Sequence, residues 1–220
     1  MPKKRIGVIL SGCGVFDGAE IHESVITLLA LDRQGAEALI CAPDVEQMHV
    51  INHLNGEVAE GETRNVLVES ARIARGEIKK ITEIQAEDLD GLILPGGFGA
   101  AKNLCDFAVK GADCAVHPDV VALVSSVHAA GKPVAALCIA PALLAKILGE
   151  ESPALTIGDD AETAQALEAL GARHIECAVT EMLVDEERKV ITTPAYMIGQ
   201  RISEVAAGIE KTVGALLEMS

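Results

Sequence analysis

The sequence predicts an α/β fold, a mostly parallel central sheet with helices on both of its faces. Short apolar runs alternate with amphipathic segments along the chain, the order that builds parallel strands joined by right-handed helical crossovers. Half of the residues are hydrophobic but only 2% are aromatic, with no Trp and a single Tyr, Tyr196. Such a core is filled by Val, Ile, Leu and Ala, as in a parallel sheet covered on both sides. The 220 residues carry no internal repeat and no low-complexity tract. That length suits one domain spanning residues 1–220.

"RIGVILS" (5–11) reads as the first strand. A helix follows over 21–34, with Val25, Leu28, Leu29 and Ala30 on one side and Gly35 closing it. "EALICAP" (37–43), "LDGLILPGG" (89–97) and "KPVAALC" (132–138) read as further strands. "PALLAKILG" then starts a helix with proline in its first turn. "VITTPA" (190–195) gives a late strand and 198–217 a closing helix. Residues 45–80 read as an excursion with helix rather than core strand. Residues 172–193 read as a small hairpin turning at Asp185 to Arg188.

The net charge of −15 argues against nucleic acid and anionic membrane as partners, and no apolar run reaches the length of a membrane span. "MPKKRIGVILSGCG" is basic then apolar but continues directly as a strand, so no signal peptide is read. The six cysteines (13, 41, 105, 114, 138 and 177) contain no C-x-x-C pair and no zinc spacing. A core this large needs no disulfide framework, so reduced thiols in the cytoplasm, or an organelle matrix, are expected.

The glycines of "ILSGCGVFDGAEIHE" (9–23) raise the question of a dinucleotide site. Gly12, Gly14 and Gly18 are spaced one residue too long for that fingerprint. Asp17, Glu20 and Glu23 would put negative charge where phosphates belong. No nucleotide cofactor is expected.

The strongest chemical signal is Cys138 between a strand and a helix, with Ala136 and Ala140 two residues to either side. A nucleophile elbow needs such small neighbours, because its strained turn brings strand and helix close together. A thiol at a helix N-terminus also feels the positive end of the dipole, which favours thiolate. A buried core cysteine is the plain alternative, and it is the reading for the other five. Gly96 and Gly97 end a strand and bring backbone N–H groups forward. With the N–H of Ile139 they would form an oxyanion hole, although an ordinary tight turn has the same sequence. Lys102 and Asn103 read as helix-capping residues. Histidine is the expected base for a cysteine nucleophile, yet His22, His117, His128 and His174 each have a structural reading. His49 and His53 are four apart, but no third ligand stands at a fixed spacing, so no metal is expected.

"SGCGVFDGAEIHE", "APDVEQMHVINHL", "TRNVLVESARIARGEI", "LPGGFGAAKNL", "CIAPALLAK" and "VITTPAYM" together cover much of the chain. On these stretches it resembles the ThiJ/PfpI branch of the class I glutamine-amidotransferase-like superfamily. Within that branch it is similar to the enhancing lycopene biosynthesis proteins (ElbB), also called sigma cross-reacting proteins. The resemblance implies a flavodoxin-like three-layer sandwich, a homodimer and a reactive cysteine at Cys138. It also implies a glutamate at Glu23 that shares a proton with that cysteine, and oxyanion donors at Gly97 and Ile139. Many members carry a histidine on the strand after the nucleophile's helix, where this chain reads "LTIGDDAE" without one. That departure argues against amide hydrolysis. The function implied is a cofactor-independent glyoxalase, a lyase acting on glyoxal or similar small 2-oxoaldehydes, whose apparent activity can also reflect deglycation. The alternative is a redox-sensing or regulatory protein with an oxidisable cysteine, linked to isoprenoid metabolism.

Overall fold

The computed structural model describes residues 3–220. The chain runs through β1 (Arg5–Ile9), α1 (Ile21–Arg33), β2 (Glu37–Ala42), β3 (Ile51–Asn52), β4 (Glu57–Val58), α2 (Val66–Ile73), β5 (Lys79–Lys80) and β6 (Gly91–Leu94). It continues through α3 (Phe98–Lys102), α4 (Phe107–Lys110), α5 (Pro118–Ala129), β7 (Val134–Leu137), α6 (Pro141–Leu148), β8 (Ala154–Leu155) and α7 (Ala161–Ala169). It closes with β9 (Arg173–His174), β10 (Leu183–Asp185), β11 (Val190–Thr193) and α8 (Ile202–Met219). The central sheet has the order β10-β11-β7-β6-β1-β2-β5, and only the β10–β11 pair is antiparallel. This is the three-layer α/β sandwich expected from the alternation of strand and helix.

Side chains along the central strands alternate between two cores, as a period of two requires. Ile6, Val8, Ile93, Ala135 and Leu137 face one side, where α1 and α8 pack through Ala30, Leu31, Ile209 and Val213. Ile9, Leu92, Leu94, Val134 and Ala136 face the other, against Val124 of α5 and Leu143 of α6. Each strand ends one to three residues before its apolar run does, because the last residues turn into the loops that carry the site.

Two expectations are corrected here. Helix α1 buries Glu23, Ser24, Thr27, Ala30 and Leu31, while Val25 and Leu29 are exposed. Its inward face is polar because it serves the site rather than the core. His49 and His53 do not share a helical face. They flank the start of the β3–β4 hairpin, where spacing by four has no helical meaning. The short parallel pair β8–β9 and the edge strand β5, made of two exposed lysines, are additional elements. Charged side chains at a sheet edge discourage further strand pairing. Among the described residues no helix is long and apolar enough to cross a membrane.

Candidate functional site

Four adjacent parallel strands, β11, β7, β6 and β1, end at the same edge of the sheet. The segments that follow them meet there, as ligand sites do in open α/β sheets. Cys138 follows β7 with φ at +60°, a left-handed backbone that costs a non-glycine residue of the order of 1–2 kcal/mol. Its N–H donates to the Thr193 carbonyl at 3.0 Å, which ties the elbow to the end of β11. This is the strand–turn–helix geometry expected of an elbow.

The turn after β6 explains its two glycines separately. A Cβ at Gly96 would lie 2.5 Å from the Cys138 Cβ and 2.9 Å from the Leu137 carbonyl oxygen. Gly97 has φ at +91°, and a Cβ there would meet the Glu20 nitrogen at 2.4 Å. The Gly96 peptide grips the first helix at two points. Its carbonyl accepts from the Glu20 N–H at 2.9 Å, and its N–H donates to Glu23 Oε2 at 2.8 Å. The glycines of the first loop serve the same packing. A Cβ on Gly99 would fall 2.5 Å from the Gly18 Cα and from the Ser11 carbonyl oxygen. Asn103 donates to the carbonyls of Ser11 and Asp17 and accepts from the Met48 N–H. The glycine-rich turn is therefore built to bring backbone against backbone and to aim α1. Asp17 is buried and accepts the Ile51 N–H at 2.7 Å, so it anchors the hairpin.

Glu23 is fully buried. Its Oε1 accepts the Tyr196 N–H at 3.2 Å, and its carboxyl hydrogen-bonds the Cys138 side chain. Burial, and secondarily the Glu20 carboxylate, raise its pKa to about 7. The thiol is also pushed well above its ordinary value, by burial first and by the charge of Glu23 second. This corrects the expectation that the helix N-terminus alone favours thiolate. The N–H groups of Gly97 and Ile139 are directed at the sulfur and pull the other way. Two acids in one dry site titrate as a pair. When Glu23 holds the proton, its charge repulsion vanishes, and the two N–H donors then work against burial without that second opponent.

Cys138 opens onto a cavity of about 310 Å³ whose walls are mostly apolar, among them Val15, Phe98, Phe107, Ile139 and Met197. Polar groups enter from Glu20, Thr163 and Tyr196. The structure thus brings Cys138, Glu23, Gly97 and Ile139 together. Glu20 and Tyr196 belong to the same place, although neither stands out in the sequence as a site residue. Glu20 is the N-cap of α1, accepting the Glu23 N–H at 2.7 Å, and its place three residues before Glu23 is the signal a capping pattern offers. Tyr196 has no sequence signal beyond following β11; its hydroxyl pairs with His22 Nδ1 at 2.8 Å.

Among the described residues no histidine lines the cavity. His117 caps α5, His128 meets Glu151, and His174 accepts the Ile157 N–H. Asp159 is exposed, and Asp160 caps α7 through the Thr163 N–H. Lys102 binds the Phe16 carbonyl at 3.0 Å and lies 5.1 Å from the Phe98 ring centroid, so it braces the loop. Among the described residues, no three His, Cys, Asp or Glu side chains cluster as metal ligands do. All six cysteines are free thiols.

The chain is 48% identical over 229 residues to the human glutamine amidotransferase-like class 1 domain-containing protein 3, mitochondrial, covering all of this chain and 84% of that protein. It is 47% identical over 228 residues to the rat ES1 protein homolog, mitochondrial, covering all of this chain and 85% of that one. The crystal structure of an isoprenoid biosynthesis protein with an amidotransferase-like domain from Ehrlichia chaffeensis superposes with a TM-score of 0.91. That protein is 34% identical, with 98% of this chain and 99% of that chain covered. Drosophila melanogaster DJ-1beta shares the fold at 18% identity and a TM-score of 0.58, with 99% of this chain and 96% of that one covered. The model of the DJ-1/PfpI family matches residues 13–195, and the chain belongs to that family.

Proposed function

We propose that this protein is a glutathione-independent glyoxalase acting on glyoxal and similar small 2-oxoaldehydes. The observation that carries the reading is Cys138 in the wall of a small, largely apolar cavity, hydrogen-bonded from behind to the fully buried Glu23 carboxyl. The Cys138 thiolate adds to the aldehyde carbon while Glu23 passes its proton to the carbonyl oxygen. This gives a hemithioacetal whose oxygen faces the N–H groups of Gly97 and Ile139, and it leaves Glu23 as carboxylate. Glu23, with a pKa of about 7, is poised to take a proton from carbon and return it near neutral pH. Removal of the hemithioacetal C–H proton gives an enediol. Reprotonation at the neighbouring carbon gives the thioester of a 2-hydroxy acid. Water then cleaves that thioester, releasing the acid and restoring the thiol. The sum is aldehyde plus water to hydroxy acid, with no net oxidation, so the route needs no redox cofactor.

Steady-state kinetics with glyoxal test the reading. The wild type should turn over without added glutathione and after dialysis against chelator, and Cys138→Ala should fall to background. Turnover lost to chelator and regained with zinc would overturn the route. So would an undiminished Cys138→Ala. Product that forms only when an amine is present to hold the aldehyde as an adduct would reassign the activity to deglycation.

The same two N–H groups that face the sulfur would also hold the oxygens of a sulfinate, which favours a redox-sensing role as the second reading. Absent turnover together with peroxide oxidation confined to Cys138 would select it. The mitochondrial names of the mammalian relatives support an organelle matrix over the cytoplasm. Likeness to the Ehrlichia isoprenoid biosynthesis protein supports a link to isoprenoid metabolism. The exposed row Ile21, Val25 and Leu29 on α1 supports a homodimer, which Val25→Glu should disrupt in light scattering.

A further inference from the structure

The cavity above Cys138 contains an acid and no base. Glu20 is only 8% exposed, yet it lines this cavity. Among the described residues its Oε2 has one partner, the Glu23 N–H, and its Oε1 has none. No Lys, Arg or His stands among the described residues that line it. The nearby ammonium of Lys102 is engaged by the Phe16 carbonyl and the Phe98 ring and borders a neighbouring depression instead. Apart from Thr163 and the Cys138 thiol, the remaining walls are apolar or aromatic, with Phe98, Phe107 and Tyr196 among them. In such a low-dielectric space a single carboxylate acts at close range with little screening. Aromatic faces add to the attraction for cations.

We propose that Glu20 is the residue that selects substrate by charge, so that the site takes neutral or ammonium-bearing carbonyl compounds and rejects carboxylate- and phosphate-bearing ones. The proposal rests on the reading of Cys138 as the group that substrate meets. It narrows the substrate class to 2-oxoaldehydes without an anionic arm. It also explains why the inward rim needs a glutamate rather than one of the commoner Ser, Thr or Asp caps. A shorter side chain would cap the helix equally well without reaching the cavity.

The test uses thiol reagents of matched size and opposite charge, so it does not depend on turnover. Each methanethiosulfonate forms a disulfide with the Cys138 thiolate as its own sulfur–sulfur bond breaks and methanesulfinate leaves. Rates at Cys138 are measured by peptide mass mapping with the 2-(trimethylammonio)ethyl, 2-sulfonatoethyl and uncharged methyl reagents. Cys177, which does not line the cavity, gives the reference ratio in the same sample.

The wild-type cation-to-anion ratio at Cys138 should exceed that at Cys177 by about tenfold or more. Glu20→Gln keeps an oxygen for the cap, and it should shrink that excess about tenfold while the ratio at Cys177 stays fixed. Any change in thiolate fraction cancels in the ratio, and the uncharged reagent reports it separately. Equal ratios at Cys138 and Cys177 in the wild type would overturn the proposal, even if the variant does not fold. So would an unchanged ratio in a folded Glu20→Gln. A charge ratio that behaves as stated in a protein with no glyoxal turnover would sink the glyoxalase reading and leave the selection by Glu20 standing.

Discussion

Cys41, near the end of β2, and Cys138, just after β7, stand in one sheet with two strands between them, both buried, both followed closely by a proline. Burial alone acts on Cys41 and pushes its thiol up to about 12. Cys138 is pushed up as well, but three further features surround it. Two backbone N–H groups face its sulfur, a carboxyl shares its proton, and a cavity gives it access. Its backbone is also held left-handed, whereas Cys41 sits in regular strand. A buried cysteine is therefore inert by default, and the chemistry comes from what the neighbouring loops deliver to it.

The contrast is sharpest in alkylation. Brief, substoichiometric iodoacetamide should label Cys138 more than about a hundredfold faster than Cys41, because thiolate character and access both differ. Predominant labelling of another cysteine, read by mass mapping, would break the assignment. Removing the shared proton is the next test. Glu23→Gln keeps a donor near the sulfur but cannot cycle a proton, so glyoxal turnover should fall by about a hundredfold. Alkylation should change far less, and full turnover in the variant would mean the proton route is wrong.

The raised Glu23 also makes a statement about stability. Its folded pKa of about 7 lies above the ordinary 4.5, so folding favours its protonated form. The associated stability is fully present below about pH 4.5 and is lost as pH rises through about 7. The whole effect is of the order of 3 kcal/mol. Urea midpoints between pH 4.5 and 8 should fall more steeply for the wild type than for Glu23→Gln, and parallel curves would contradict the burial argument. The smallest effect belongs to the other member of the comparison. Cys41→Ala should cost about 1 kcal/mol in chemical denaturation and leave glyoxal turnover unchanged.

Much of this architecture is legible in the sequence alone. The runs ending at Ser11, Gly97 and Cys138 mark where adjacent strands stop, and the small residues around Cys138 mark the elbow. The two glycines of the β6 turn have the same origin, since a side chain on either collides with backbone or with Cys138. Other features lack a sequence signal or carry a misleading one. Helix α1 presents Glu23, Ser24 and Thr27 inward and Val25 and Leu29 outward, so its apolar side points away from the core. Strand β5 is two lysines, whose composition carries no strand preference and whose place at the edge is set by pairing with β2. Glu20 reads as one more acid in a charged stretch, because only the fold shows its carboxylate turned inward along the cavity.

The scarcity of aromatic residues has one consequence outside the chemistry. The chain has no tryptophan and one tyrosine, and that phenol stands at the rim of the cavity, paired with His22. Ultraviolet emission from the protein therefore originates almost entirely at this one ring. A molecule that enters beside Cys138 will alter the environment of the sole emitter. The protein carries a built-in optical gauge of its own occupancy, with no label to introduce and no background from a second fluorophore to subtract.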